Sequence, residues 1–270
     1  MEWEDLLRKI EELPKFELRD IAVREEEKFL YWRKDAPSTS LRVFPKWVKC
    51  ENRKAVIESG KPEKIIAVVS ERYNLIQFKD IFIPVIEKIK DIEDGVALSW
   101  LGKGYLEIYP RGEEFKLNGG RIGLVVRNSV DKGWAVRIDF IINMDGLKFI
   151  PPRRIVRGLR KVHRGQIQVA VENYLKVISE VKEAWKSIVS DFQKYILKDI
   201  EDFAKETKIG KRIKKKLLRI AEEEPLTLWD AFVITIDEIS KRKFKSEITR
   251  MEKIERVTNA IFKYALTLSI

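Results

Sequence analysis

The chain has 270 residues, 36% charged and 44% apolar, with aromatic side chains throughout, which excludes a disordered chain and leaves room for two or three domains with a real core. Apolar runs such as 65–69 fall far short of the ~20 residues of a membrane-spanning helix, the start Met1-Glu-Trp-Glu-Asp5 is acidic where a signal peptide is basic, and one cysteine (Cys50) with one histidine (His163) leaves no internal disulfide and no Cys- or His-based metal centre, so a cytoplasmic protein without metal or cofactor is expected. The net charge of +11 is concentrated: residues 1–150 hold 27 Lys+Arg against 26 Asp+Glu, whereas residues 151–270 hold 27 against 17, a balance that points to nucleic acid before an anionic membrane, with a solvated helical surface as the plain alternative.

In chain order, residues 3–12 carry the apolar spacing of a short amphipathic helix, stopped by Pro14. Residues 21–23 and 29–32 read as strands flanking the charged run 24–28. Asp35-Ala-Pro-Ser-Thr-Ser40 reads as a loop, and 41–44 and 47–50 as edge strands interrupted by Pro45. Residues 1–62 are thus expected to form a small mixed α/β unit.

Residues 63–165 are expected to form a central α+β domain. Ile65-Ile-Ala-Val-Val-Ser70 has the unbroken apolar character of a buried strand, and Phe78, Ile81, Phe82, Val85, Ile86 and Ile89 mark one face of a helix. Hairpins are predicted from 96–101 and 105–109 about Gly102-Lys-Gly104, and from 122–127 and 134–142 about Asn128-Ser-Val-Asp-Lys-Gly133. Asp145-Gly146 turns once more into 147–150. Pro151-Pro152 removes two backbone donors in succession and ends the sheet. Beyond it come Arg153, Arg154, Arg157, Arg160, Lys161, His163 and Arg164, with no acid between Asp145 and Glu172; this junction is a candidate polyanion contact.

From residue 166 the period changes, and 166–270 is expected to be a basic helical domain. Tyr174, Ile178, Val181, Trp185, Ile188, Phe192 and Tyr195 alternate by 4 and 3 residues. Continued through Ile196, Ile200 and Phe203, this heptad seam predicts one helix of about 40 residues, ~60 Å long. Further apolar stripes from Trp229 to Ile239 and from Ile248 to Leu268 supply partners for an intramolecular bundle in a monomer; a dimeric coiled coil is the alternative. Lys211, Arg212, Lys214, Lys215, Lys216 and Arg219 fan over the side of a helix opposite Ile213, Leu217 and Ile220, and Lys241, Arg242 and Lys243 form a third cluster. The expected fold class is α+β, an antiparallel sheet with a packed helix followed by a basic helical bundle.

Catalytic patterns are sparse. The chain has no phosphate-cradling Gly-x-x-x-x-Gly-Lys-Ser/Thr loop, no dinucleotide Gly-x-Gly-x-x-Gly after a strand and no His-Glu-x-x-His. Asp94 followed by Glu114-Phe-Lys116 has the order of a metal nuclease, two carboxylates for Mg²⁺ and a lysine for water, a pattern that a Glu- and Lys-rich chain also yields by chance. His163, set among cations, reads as a phosphate contact or a structural hydrogen bond rather than a general acid or base.

The order Val68-Val-Ser-Glu-Arg-Tyr73, then Asn128-Ser-Val-Asp-Lys-Gly133, then the basic segment ending near His163, then helices with Thr227-Leu-Trp229 and Thr235, resembles phage/plasmid-like proteins built on a domain of unknown function. It spans roughly residues 40 to 240. The pattern departs at Arg153-Arg154-Ile-Val, where that family has a Cys-x-Asn element. The resemblance implies a mobile genetic element, an archaeal plasmid or provirus, in keeping with a thermophile-like bias towards Lys, Glu, Arg and Ile; it implies no established reaction. The expectation is a non-enzymatic nucleic-acid-binding protein, DNA first, gripping the phosphate backbone with little sequence preference. A metal-dependent nuclease or a strand-annealing protein is the alternative.

Overall fold

The computed structural model describes residues 3–31, 40–131, 136–152 and 167–268, with backbone alone at 21, 23–31, 40–49 and 62–63. The fold is α+β, and its antiparallel sheets fall into two compact units: Pro14–Gln77 with Val130–Gly133, and Met1–Leu13 with Phe78–Ser129 and Trp134–Ile270.

The smaller unit is a three-stranded sheet in the order β1 (Phe16–Tyr31), β2 (Ser40–Glu58), β3 (Lys61–Ser70). Ala55, Val56, Ile57 and Val69 are buried in it. The Gln77 amide clamps its start: Phe16 N–H donates to Oε1 at 3.0 Å and Nε2 donates to Phe16 C=O at 2.9 Å. β1 runs unbroken through the charged residues 24–28, paired with β2 from Phe16 to Tyr31 with one register shift between Asp20 and Ala22. Pro45 does not break β2 either. β3 pairs with Arg53–Glu58, so at Pro45 the strand has a single neighbour among the described residues, a position where a residue without an N–H is tolerated. The expected burial of 65–70 is corrected: β3 is an edge strand, with Ile65 and Val68 more than half exposed and Val69 fully covered. The loop expected at 35–40 lies outside the described residues except for Ser40.

The larger unit is built on the sheet β4 (Ile92–Trp100), β5 (Lys103–Pro110), β7 (Gly120–Ser129), β8 (Arg137–Met144) and β9 (Leu147–Phe149), in that order, with β6 (Lys116–Leu117) on β7. Two of its hairpins close through two-residue turns with both central φ positive, Leu101-Gly102 (47° and 75°) and Asp145-Gly146 (49° and 81°), the geometry whose twist matches paired strands. Helices cover both faces. Against one lie α1 (Trp3–Glu11), α2 (Lys79–Ile89) and α3 (Ile167–Lys176): a Cβ on Gly95 would sit 2.8 Å from Leu6, and the Phe140 ring stacks on Tyr174 at 4.4 Å. The other carries Tyr105, Tyr109, Val125 and Ile141. With Phe149 and Ile150 these form one core with α4 (Ile178–Lys194), α5 (Ile200–Thr207), α6 (Lys211–Glu223), α7 (Leu228–Ser240) and α8 (Glu247–Thr267).

Gly104 is where a strand must pass a ring closely. A Cβ there would stand 2.5 Å from the Phe78 ring, which is 1% exposed and has no room to retreat. Gly104→Ala is expected to destabilise the protein by about 1–3 kcal/mol through overpacking, read as a lower urea midpoint at unchanged slope; an unchanged midpoint contradicts this packing.

The single helix of about 40 residues is not present. The seam is divided among α3, α4 and α5, with Tyr195 extended (φ −85°, ψ 113°) and residues 195–199 non-helical. Two local competitors win here. Asp199 caps α5 by accepting from Asp202 N–H at 2.8 Å, and the chain on either side pairs with the segment before α7: Leu197 N–H donates to Leu226 C=O at 2.8 Å and Leu228 N–H to Tyr195 C=O at 2.9 Å. The seam nonetheless buries within one chain, since Trp185 and Phe192 are 2% and 3% exposed in the core shared with the sheet. That shared core also means that the compact units differ from the division at 62/63 and 165/166: the central strands and the C-terminal helices belong together, because Phe149 packs at once on Trp185 (5.3 Å) and Phe232 (5.0 Å).

Candidate nucleic-acid interface

α6 exists because Ile213 and Leu217, 1% and 0% exposed, anchor one side while the cations remain on the other. It starts at Gly210 without a side-chain cap, and its first turn contains no acid. Lys211, Arg212 and Lys214 therefore sit at the positive end of the helix dipole, an unfavourable placement that Glu201 beside Lys214 and Glu238 beside Arg212 offset in part.

The structure brings the second and third basic clusters together. Glu238 at the end of α7 accepts from Lys216 at 2.7 Å and faces Arg212 at 3.6 Å. One turn on, Lys241 pairs with Asp237 at 2.5 Å, and Arg242 lies 3.8 Å from where a Cβ of Gly210 would be. The Lys216 ammonium, helped by Arg212 and opposed by burial, holds the Glu238 carboxyl below its ordinary range. The patch is not uniformly free. Lys214 is bound to Glu201 at 2.7 Å, and Arg219 lies 3.9 Å from Glu223. Lys211, Lys215, Arg242 and Lys243 are exposed and form no ion pair among the described residues. The first cluster, Arg153, Arg154, Arg157, Arg160, Lys161, His163 and Arg164, lies outside the described residues.

The nuclease candidates Asp94, Glu114 and Lys116 lie on β4, on the 3-10 turn Glu113–Phe115 and on β6. Asp94 Oδ2 accepts from Arg121 at 2.9 Å, Lys116 is bound to Glu113 at 2.6 Å, and Glu114 is exposed. Among the described residues no group of three or more His, Cys, Asp or Glu side chains is placed to hold a metal ion, and no helix is long and apolar enough to cross a membrane.

Sequence reasoning passed over a polar network at the interface between sheet and helices. Arg127, 4% exposed, reaches Asp139 Oδ2 at 2.5 Å and both Glu255 oxygens at 2.5 and 3.2 Å. Burial opposes the Arg127 charge, and Glu255 and Asp139 outweigh it, raising its pKa above the ordinary arginine value. A second chain joins Lys148 Nζ to Glu107 at 2.6 Å and Tyr105 O–H to the same carboxylate at 3.0 Å, while Arg121 lies over the Tyr109 ring at 4.2 Å. Burial first, and then Glu107, push the Tyr105 and Tyr109 hydroxyls well above the usual phenol range. The available signal was Tyr105, Glu107 and Tyr109 on one face of a strand that is otherwise apolar, with Arg127 and Asp139 in register beside them.

Within the smaller unit Tyr73 O–H donates to Val130 C=O at 3.3 Å. Compared with known protein families, curated proteins and solved structures, the chain gives no match.

Proposed function

We propose that this is a non-enzymatic, backbone-directed nucleic-acid-binding protein of the cytoplasm, DNA being the first candidate, belonging to a mobile genetic element. The observation that carries the reading is the junction of two cationic clusters at Glu238, where acids neutralise part of the patch and Lys211, Lys215, Arg242 and Lys243 stay exposed and unspent. Point charges on flexible stems suit phosphates, and the patch has no row of Asn, Gln and Arg for base edges, so sequence preference is expected to be weak. The motif order shared with phage/plasmid-like proteins supports the mobile-element setting.

Four phosphate contacts give a log affinity that falls against log salt with a slope of about −3.6 on duplex DNA. Replacing Lys211, Lys215, Arg242 and Lys243 together with Gln is expected to remove most of that slope and leave the fold intact. Lys214→Gln with Lys216→Gln should change it less, because those two ammonium groups already serve Glu201 and Glu238. Fluorescence anisotropy with labelled DNA over a salt series makes the measurement. Absence of binding at low salt, or an unchanged slope in the fourfold variant, overturns the proposal.

A further inference from the structure

A cavity of about 470 Å³ lies between β8 and α8, within the size range of small-molecule sites. Arg137 and Asp139 of β8 and Glu255 and Lys263 of α8 supply its charge; Ile150 and Phe262, 3% and 2% exposed, supply an apolar wall. The acids are already committed, because both Asp139 and Glu255 are bound to Arg127. The cations are not. Arg137 stands directly opposite Arg127 in the β7–β8 register, and its Nε is buried without a hydrogen-bond partner among the described residues. Lys263 is exposed and forms no ion pair among them. Together with Arg127 the site holds three cations, Arg127, Arg137 and Lys263, against the two acids Asp139 and Glu255, and a buried donor without an acceptor is costly. An anion in the cavity relieves both.

We infer that this cavity binds a small organic anion, a carboxylate or phosphate monoester on an apolar body, with its charged group on Arg137 and Lys263 and its body against Ile150 and Phe262. The two unspent cations select the charge; an apolar body also covers Leu266, a lining residue that is 52% exposed, and an inorganic ion leaves it bare. None of these residues belongs to the α6 patch, so the inference stands or falls apart from the DNA reading.

Isothermal titration of the full chain with phenylacetate, phenyl phosphate and neutral 2-phenylethanol tests it, in about 0.15 M salt so that distant charges are screened. Saturable binding of at least one anion is expected, with the alcohol at least about tenfold weaker, and the stronger of the two anions identifies the headgroup. Lys263→Gln should weaken the anion about tenfold and Arg137→Gln by more, each a lost charge-assisted hydrogen bond. Lys263 is on the surface, so its variant keeps the test valid if Arg137→Gln fails to fold. No anion binding, equal binding of the alcohol, or unchanged affinity in Lys263→Gln overturns the inference.

Discussion

Trp185→Ala is expected to lower the unfolding free energy by about 3–5 kcal/mol, the larger of the stability effects at a single apolar residue. The indole is 2% exposed and meets rings from three elements, Phe149 at 5.3 Å, Trp229 at 5.9 Å and Phe262 at 6.3 Å. These rings belong to a strand and two helices whose positions are fixed by other contacts, so the void left by truncation closes only in part. Trp185→Phe should fall between the two, because one ring of the stack survives. Urea unfolding followed by circular dichroism measures the loss, and size exclusion shows whether the association state changes. Unaltered stability, or dissociation of a dimer without unfolding, contradicts an intramolecular role for the seam.

Arg127→Met should cost a similar amount, about 3–5 kcal/mol, for a different reason. Methionine keeps much of the volume but takes from Asp139, which is 3% exposed, and half-buried Glu255 the cation they share. The loss is one of uncompensated charge, so it responds to pH. Protonating these carboxylates removes the penalty, and the stability gap between variant and parent should narrow as pH falls. Replacing all three together, Arg127→Met with Asp139→Leu and Glu255→Leu, should recover much of the stability, since an apolar trio carries no desolvation cost. Urea midpoints at several pH values decide the matter. A gap independent of pH, or a triple variant no better than the single one, rules out charge as the cause.

Much of the larger unit was legible because its local signals agree with one another. The apolar stripe of α2, the Asp145-Gly146 turn and the two anchors of α6 each follow from a period or a backbone constraint that packing reinforces. The errors fall where a second interaction outweighs the pattern. The heptad seam carries no information about Asp199 capping a new helix or about residues 226–228 pairing with 195–197. In the smaller unit, β1 and the first half of β2 form a ribbon with no third strand among the described residues, and the alternation by which strands are recognised is weak there. Conversely, β3 has the composition of a core strand but occupies an edge. The candidate site was legible as three runs of charge, yet the pairing of Lys216 and Arg212 with Glu238 depends on where α7 ends beside α6, which no single run contains.

The backbone pairing of Tyr195 and Leu197 with Leu226 and Leu228 closes the chain on itself around α5 and α6. The loop-closure entropy of that excursion is met at its neck, and added length within it raises the cost only logarithmically. The basic helix is thus carried on a closed excursion whose apolar side, through Ile213 and Leu217, stays in the common core: the charge on its outer side can be varied through evolution or by design without moving the helices on which the sheet depends.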